Sequence, residues 1–554
     1  MKKSLLVLLF FVSTSLCAQN NWNLVWSMNE LPFQPPQIGS EMAIVKAGFD
    51  TDEDGFGEFL CAYTDLDSNF LMMYEASADD TYDLVWYWKY PIPANTFAGI
   101  VVGDMDNNGV VEIITTMPSV VGTDPNPDRL WVFEWNGVQG ENKYGRYTGD
   151  TFTPTNTWNF NLADGIDFRP YSLTIEDIDN DSKNELIVGV RQSANLGSST
   201  REVLVASVTG LFSGFGSWNV EYNFQDNFGG SLYSTTTGDL DGDGNREIYA
   251  LVWNEFTFRI LECLGDQNYV EAFAVDNFTP GIDHGAVDGV RVADVNNDGV
   301  NELYIAGTEP NNALFIITGI NDVSAITPAD INEFYHIPVQ AGGKFRSLSI
   351  ADSDQDGNLS LLIAGERNGQ IFDLEYNGSG DPADSASWTL TVAYDIFEHS
   401  GLSPDSASTL TPRFFYGSPA SDMDGDGKSE YVFVNYSTDH DVWTDDAYVR
   451  VIESDVVTNV SDDSILPNTI SLSQNYPNPF NPTTNISFNL VEAGFVSLKV
   501  YDILGNEVAN LVEGELNAGK HNKIFNARNL TSGVYFYTLT ANNFKETKKL
   551  MLMK

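Results

Sequence analysis

Short apolar runs separated by polar turns make up most of the chain from residue 22 to residue 454. Most runs hold about four to eight residues, are rich in β-branched and aromatic side chains, and end at Gly, Asn, Asp or Pro, which is typical of β-strands. Examples are Glu112–Thr116, Glu247–Trp253 and Leu314–Thr318. Because no long helical periodicity interrupts these runs, the pattern predicts an all-β fold.

The runs fall into seven successive groups of four strands, each roughly 60 residues long. This arrangement predicts a seven-bladed β-propeller. A solenoid is the competing repeat fold, but it would need capping repeats, and none is evident.

The two ends of the repeat array suggest how the ring closes. The first repeat is preceded by the run Trp22–Ser27, which is similar to the fourth-strand run Asp83–Trp88. The last repeat supplies only two strands after its turn. We therefore predict that Trp22–Ser27 is the outer strand of the last blade, and the alternative occupant of that position is Val456–Val460.

An acidic turn joins the first two strands of every repeat. It carries a carboxylate or amide at positions one, three and five, usually a glycine at six and a glutamate at nine. Calcium accepts several such oxygens around a sharp turn. The pattern predicts up to seven Ca²⁺ sites with these ligands: Asp50, Asp52, Asp54, Glu58, Asp104, Asp106, Asn108, Glu112, Asp177, Asp179, Asp181, Glu185, Asp239, Asp241, Asp243, Glu247, Asp294, Asn296, Asp298, Glu302, Asp352, Asp354, Asp356, Asp422, Asp424, Asp426 and Glu430.

Other interpretations of these turns are less favoured. An EF-hand needs a glutamate at position twelve, but those positions hold residues such as Cys61, Val188 and Phe433. Magnesium prefers stricter octahedral geometry. Ordinary acidic hairpin turns remain the alternative. Within the set, the sixth site should be weakest because Ser360 replaces the glutamate. In the third site, Ser182 stands where a glycine would ease a positive φ.

Composition narrows the class of protein. The formal net charge of −50 argues against nucleic acid as a partner. Lys2 and Lys3 precede the apolar run Leu5–Val12, which predicts a signal peptide over residues 1–18. We expect Cys61 and Cys263, the two cysteines that follow the predicted signal peptide, to be buried free thiols. No later run is long enough for a transmembrane helix.

The repeats resemble the calcium-loop propeller repeats of the FG-GAP and VCBS families. The resemblance covers residues 42–436 and is carried by the acidic turns and their flanking strands. It implies a propeller whose blades are made rigid by calcium. The chain departs from FG-GAP repeats in lacking a Phe-Gly…Gly-Ala-Pro element.

The C-terminal segment resembles the type A sorting domain of the type IX secretion system. The motifs Tyr476–Pro482, Ile486–Leu490, Leu498–Gly505 and Leu530–Tyr535 occur in order, followed by a basic end. The resemblance implies export by the type IX secretion machinery to the outside of a Gram-negative bacterium, with possible attachment to surface polysaccharide. Residues 471–554 are also predicted to form a small immunoglobulin-like β-sandwich.

The predicted organisation is a signal peptide (1–18), a propeller (19–454), a linker (455–470) and the sorting domain (471–554). No catalytic or phosphate-binding motif occurs. We therefore expect a secreted or cell-surface monomer that binds protein or glycan, or an adhesion or surface-layer component. The alternative is a polysaccharide-degrading enzyme on the face opposite the calcium loops, with candidates Asp283, His284, His399, His440, Asp441 and Trp443 among otherwise ordinary loop residues.

Overall fold

The structure is a computed structural model. It describes residues 22–33, 41–64, 69–92, 94, 96, 98–118, 127–148, 151–160, 166–194, 198–226, 232–253, 256–276, 284–308, 312–337, 344–366, 369–400, 413–436, 447–455, 471–472, 475, 480, 482–490, 494–516, 519–528, 530–541 and 544–552. The predicted signal peptide lies outside these residues, as does the predicted linker except for Asp455. The chain divides into two compact units, Met1–Thr458 and Asn459–Lys554.

The first unit is built from four-stranded antiparallel sheets, numbered here in chain order. Sheet 1 contains β2 (Glu41–Phe49), β3 (Glu58–Thr64), β4 (Phe70–Ala78) and β5 (Thr81–Lys89). Sheet 2 contains β6 (Gly99–Gly103), β7 (Glu112–Thr116), β8 (Leu130–Glu134) and β11 (Asn156–Trp158). Sheet 3 contains β12 (Ile166–Glu176), β13 (Glu185–Ala194), β14 (Ser198–Thr209) and β15 (Ser217–Asp226).

The later sheets repeat the same order. Sheet 4 contains β16 (Leu232–Gly238), β17 (Glu247–Val252), β18 (Thr257–Cys263) and β19 (Tyr269–Val275). Sheet 5 contains β20 (Gly285–Ala293), β21 (Glu302–Gly307), β22 (Ala313–Ile317) and β23 (Asn332–His336). Sheet 6 contains β24 (Lys344–Ala351), β25 (Ser360–Glu366), β26 (Gln370–Tyr376) and β27 (Trp388–Asp395). A parallel bridge between Asp288 and Ser347 joins sheets 5 and 6.

Sheet 7 combines strands from both ends of the first unit. It contains β28 (Phe414–Ala420), β29 (Ser429–Asn435), β30 (Val449–Ser454) and, at its outer edge, β1 (Trp22–Met28). The antiparallel pairing runs from Trp22 opposite Ser454 to Met28 opposite Val449. This pairing confirms the predicted position of the N-terminal strand.

A few short elements complete the first unit. The hairpin β9 (Arg146–Thr148) and β10 (Thr151–Thr153) lies between β8 and β11 in the chain. Among the described residues the single α-helix is α1 (Ile396–Ser400), and short 3₁₀ turns occur at Phe212–Gly214, Val323–Ala325, Pro328–Asp330 and Ser385–Ser387.

The burial pattern shows how the sheets pack. Inner strands such as β3, β17 and β29 are buried at every residue, as expected for strands covered on both faces. The outer strand β5 instead mixes buried with exposed and half-buried positions. The sheets therefore pack face to face and expose their outer strands.

The first strands of the sheets contact one another in cyclic order. Each of β2, β6, β12, β16, β20, β24 and β28 contacts the next, and β28 contacts β2. Close packing at these contacts requires small residues. A Cβ atom added at Gly238 on β16 would lie 2.9 Å from the Val292 side chain on β20.

Cys61 and Cys263, the two cysteines among the described residues, are free and buried, as predicted. Burial raises the pKa of both thiols, to about 11 for Cys263. Neither is therefore a reactive thiolate at neutral pH.

The second unit consists of two sheets around one core. One sheet contains β31 (Ser471–Leu472), β32 (Thr483–Leu490) and β35 (Gly519–Asn526). The other contains β33 (Gly494–Tyr501), β34 (Glu507–Leu516), β36 (Gly533–Ala541) and β37 (Phe544–Leu552). Side chains from both sheets, among them Phe488 and Leu539, share one apolar cluster, so this unit is a β-sandwich.

Candidate functional site

The seven acidic turns share one hydrogen-bond pattern. In every turn the first aspartate accepts a bond from the backbone N–H of the sixth residue, at 2.7–3.1 Å. The fifth side chain accepts a bond from the N–H of the seventh residue, at 2.7–2.8 Å. The sixth residue has positive φ throughout, including 71° at Ser182. The sequence pattern therefore encodes one repeated loop, which we call the acidic loop.

The loops bring the predicted ligands together. Carboxylate oxygens from all four residues lie within 4.8 Å of one another in loop 4, formed by Asp239, Asp241, Asp243 and Glu247. The same holds for loop 7, formed by Asp422, Asp424, Asp426 and Glu430. These are the two loops in which the sequence pattern is complete with glycines at both positive-φ positions.

The glutamate at position nine closes each loop from the second strand. Six loops have this residue, and its carboxylate accepts a bond from the N–H of the second loop residue, at 2.7–3.1 Å. All six side chains are at most 1 % exposed. In Glu112, Glu247 and Glu430 the second oxygen is buried without a hydrogen-bond partner among the described residues, a costly state for a carboxylate.

Burial sets the protonation of these glutamates. It raises the pKa to about 9 for Glu58, Glu112 and Glu185. It raises the pKa to about 8 for Glu430, and to about 7 for Glu247 and Glu302. Neighbouring aspartates add to the shift in each case, because a second negative charge disfavours ionisation.

Sequence reasoning missed a second row of carboxylates. In four sheets the closing glutamate lies directly opposite another glutamate on the third strand: Glu58 opposite Glu75, Glu112 opposite Glu134, Glu247 opposite Glu262, and Glu430 opposite Glu453. Like charges facing each other across a sheet destabilise it. In sheet 1, carboxylate oxygens of Asp52, Glu58 and Glu75 lie within 4.8 Å of one another. The repeated glutamate on the third strand was the available sequence signal.

Loop 6 has a different closing carboxylate. Ser360 replaces the glutamate, and its hydroxyl lies 3.1 Å from that of Ser353. Ser353 also donates to Asp373 on β26, at 3.2 Å. Asp373 is fully buried and accepts a bond from Trp22 Nε1 on β1, at 2.9 Å. A carboxylate from the third strand thus lies beside the position that the glutamate occupies in other loops.

Neighbouring acidic loops are bonded to each other. Asn184 Nδ2 donates to the carbonyl of Asp104 at 2.6 Å, and Asn301 Nδ2 donates to that of Asp239 at 2.7 Å. The N–H of Gly57 donates to Met423 at 2.7 Å. An ordered loop therefore helps to position the loop beside it.

A central cavity of approximately 280 Å³ is lined by first strands. It contains Lys46 and the ion pair of Asp288 with Arg291, whose guanidinium nitrogens lie 2.9 and 2.7 Å from the carboxylate oxygens. Burial alone would raise the pKa of Asp288, but Arg291 and Lys46 hold it below its usual value. The charges of Asp288 and Arg291 therefore satisfy each other in the wall of the cavity.

A second cavity, of approximately 360 Å³, lies at the other end of the first strands from the acidic loops. It is lined where first strands begin and second strands end. Its charged residues are Arg169, Arg346, Arg413 and Glu366. Its aromatic residues are Tyr171, Tyr233, Trp253, Phe415 and Tyr436. We call this cavity the arginine pocket, and sequence reasoning did not identify it.

The predicted histidine site is only partly described. Asp283, His440, Asp441 and Trp443 lie outside the described residues. His284 packs on Trp253 with ring centroids 5.2 Å apart, whereas His399 stacks on Tyr394 at 4.6 Å. His399 Nδ1 is also 2.9 Å from the carbonyl oxygen of Asp395. The two histidines therefore have different neighbours, and of the two only His284 packs on a residue that lines the arginine pocket.

Comparison with known proteins identifies the C-terminal unit. Residues 474–553 match the family model described as the secretion system C-terminal sorting domain. The match confirms the predicted sorting domain and marks the chain as a secreted or cell-surface protein of a Gram-negative, Bacteroidota-type bacterium. Interaction with the type IX secretion machinery follows from that domain. Among the described residues, no helix has the length and apolar character needed to cross a membrane.

Two solved structures show distant likenesses to the chain. No curated protein matches the chain. A Bacillus licheniformis rhamnogalacturonan lyase structure of family PL11 is 12 % identical and has a TM-score of 0.37, and the match covers 78 % of this chain and 75 % of the lyase. A fungal alcohol oxidase of the AA5 family, in complex with copper, is 9 % identical, with coverages of 97 % and 100 % and a TM-score of 0.31. Likenesses this weak define neither a fold family nor an activity.

Proposed function

We propose that the first unit is a seven-bladed β-propeller of the FG-GAP/VCBS kind. The cyclic contacts among the seven first strands support a closed ring. The pairing of β1 with β30 supports closure through the last blade, because it joins the first and last strands of this unit within one sheet.

The acidic loops bind Ca²⁺ in this proposal. The ligands are the carboxylates and amides at positions one, three, five and nine, and Asp373 serves loop 6. Two observations support a cation. Buried oxygens of Glu112, Glu247 and Glu430 have no hydrogen-bond partner among the described residues, and glutamates face each other across four sheets. Calcium supplies the positive charge, and the loop residues hold the blade edges rigid.

The protein functions as a secreted or cell-surface module that binds protein or glycan, exported through its sorting domain. The arginine pocket carries this proposal, because it combines convergent polar groups with aromatic walls at one end of the strands. The opposite end is occupied by the acidic loops. Recognition therefore takes place at the arginine pocket, and calcium keeps the strands that form it in place.

The test is binding by the full chain to glycan and protein arrays in millimolar calcium. Binding that is retained in Arg146→Gln and lost in Arg413→Gln supports the proposal. Arg146 is a matched control because it also stacks on an aromatic ring, that of Phe215 at 4.3 Å, but does not line the pocket. Binding that is unchanged in Arg413→Gln would place recognition elsewhere.

A second candidate function is polysaccharide degradation at the same end. The contact between His284 and Trp253 favours it, since a histidine beside a substrate platform can act as an acid or base. Release of reducing sugar by the full chain, abolished in His284→Ala and retained in His336→Ala, would establish an enzyme. If none of the glycans that bind were degraded, the binding module would be retained as the proposed function and the enzyme would be rejected.

A further inference from the structure

The charge of the arginine pocket is opposite to that of the chain. Three of its lining residues are arginines and one is a glutamate, whereas the whole chain carries −50. Lys344 also acts on the glutamate, Glu366, and favours its ionised form. A positive pocket in an acidic protein attracts anions, whereas the acidic surface around it repels them.

Of the two guanidinium groups that face Glu366, that of Arg413 is within reach of a ligand, because 32 % of its side chain is exposed. Arg346 directs its Nε and Nη2 atoms to one oxygen of Glu366, with Nε at 2.7 Å. Arg413 Nε lies 3.4 Å from the other oxygen. One carboxylate thus faces two guanidinium groups, which leaves one positive charge without a counter-charge in this cluster. Nη1 of Arg346 is buried without a hydrogen-bond partner among the described residues, in a side chain that is 4 % exposed.

Aromatic rings lie directly beside these guanidinium groups. Arg346 lies over Phe415 at 4.7 Å and over Trp253 at 5.4 Å, and Arg413 lies over Tyr436 at 5.9 Å. Phe415 and Tyr436 contact each other, with centroids 4.3 Å apart. These contacts hold the charged groups in a fixed orientation. The pocket therefore offers a fixed anion site next to a flat apolar wall.

We propose that the arginine pocket binds a carboxylate-bearing sugar, that is, a uronate residue of an anionic polysaccharide. A guanidinium group recognises a carboxylate through two parallel hydrogen bonds. A pyranose ring also presents a flat apolar face to Trp253 or Tyr436, at a fixed distance from its carboxylate. An acidic peptide has its carboxylate on a flexible stem and lacks such a face. This assignment rests on the proposed binding function and specifies its ligand class.

The test uses the full chain in millimolar calcium with three probes. They are an oligogalacturonate, the same oligomer with its carboxyl groups reduced to alcohols, and an oligoglutamate of matched charge. We expect binding to the oligogalacturonate only. Arg413→Gln should lower that affinity roughly 10- to 100-fold, the range for a lost charge-assisted hydrogen bond. Arg146→Gln should leave it unchanged. Arg413 is more suitable than Arg346 because its side chain is 32 % exposed whereas that of Arg346 is 5 % exposed, so its replacement should disturb the folded core less.

Each other outcome overturns the assignment in a distinct way. Equal binding of the reduced oligomer would show a glycan-binding protein without anion selection, so the proposed function would stand and the inference would fail. Preference for oligoglutamate would assign the pocket to an acidic protein. If none of the three probes bound, and no member of a broader glycan and protein array bound, the proposed binding function itself would fail.

Discussion

The two ends of the same first strands carry opposite chemistry. Arg346 lies near the start of β24, and Asp352 follows its end. On β12, Arg169 lies near the start of the strand and Asp177 follows its end. On β28, Arg413 comes just before the first residue and Asp422 follows the end of the strand. At about 3.3 Å per residue the two groups are roughly 20 Å apart or more, beyond the Debye length of about 8 Å at physiological salt. Each end can therefore change its charge with little effect on the other.

The difference lies in how each end satisfies its charges. The acidic end has many carboxylates with few cations, so we propose that its stability depends on bound Ca²⁺. At the arginine end the buried Glu366 is paired with Arg346 and also faces Arg413, so we expect this end to be stable without a ligand. The comparison predicts that calcium removal weakens the whole unit, whereas changes in the pocket act locally.

Calcium removal should have the largest effect. Chelation with EGTA should lower the Tm of the first unit by on the order of 10 °C, because several occupied sites each stabilise the folded state by about 2.7 kcal/mol at a hundredfold excess over Kd. Calorimetry with and without chelator measures it. An unchanged Tm in EGTA would contradict the proposal that the acidic loops bind calcium.

Breaking the buried ion pair of the pocket should come next. Glu366→Gln should cost about 3 kcal/mol at neutral pH, since Arg346 is left buried without its counter-charge. The arginines hold the pKa of Glu366 below its usual value against the opposing effect of burial. Its contribution is thus present above the unfolded pKa of about 4.3 and is lost as pH falls through the lower folded value.

Denaturant titrations of Glu366→Gln and wild type, both in EGTA, should differ by a constant amount above pH 5. The gap should close under more acidic conditions. Glu398→Gln, at an exposed position of α1, serves as the control. A gap that widened on acidification would contradict the ionised pair.

A closing glutamate should show opposite effects with and without calcium. Glu58→Gln should lower stability by about 2.7 kcal/mol at a hundredfold excess of calcium, through loss of one site. In EGTA it should raise stability at neutral pH by on the order of 1 kcal/mol or more, because burial raises the pKa of Glu58 to about 9 and folding must otherwise protonate this side chain. Glu53→Gln, exposed in the same loop, should have neither effect. A change in stability with the same sign in calcium and in EGTA would refute a cation bound by Glu58.

The smallest effect should be at loop 6. Asp373→Asn keeps the bond from Trp22 possible but removes the closing charge. It should weaken calcium at this loop about tenfold, or roughly 1.4 kcal/mol, seen as loss of the weakest step in a calorimetric titration. Asp381→Asn, an exposed position in the same sheet, is the control. An unaltered titration would exclude Asp373 as a ligand.

Local features of the fold could be predicted from sequence because their causes are local. The acidic loop depends on positive φ at the sixth residue and on side chains that bond backbone N–H groups two to five residues away, so residue spacing is enough to identify it. The strand order also follows from short connections between apolar runs. The pairing of β1 with β30 was predictable because the edge strand of the last sheet was missing from its own repeat.

Tertiary structure decided the features that depend on residues far apart in the chain. Asp373 lies beside the place of the missing glutamate of loop 6 because antiparallel pairing places the third strand beside the second. The arginine pocket gathers Arg169, Arg346 and Arg413 from three sheets, although each arginine stands alone in its own stretch of sequence. The sequence by itself determined the all-β repeats, the acidic loops and the sorting domain. Only packing of the first strands around a common centre placed the pocket, because its residues meet through contacts that no local spacing encodes.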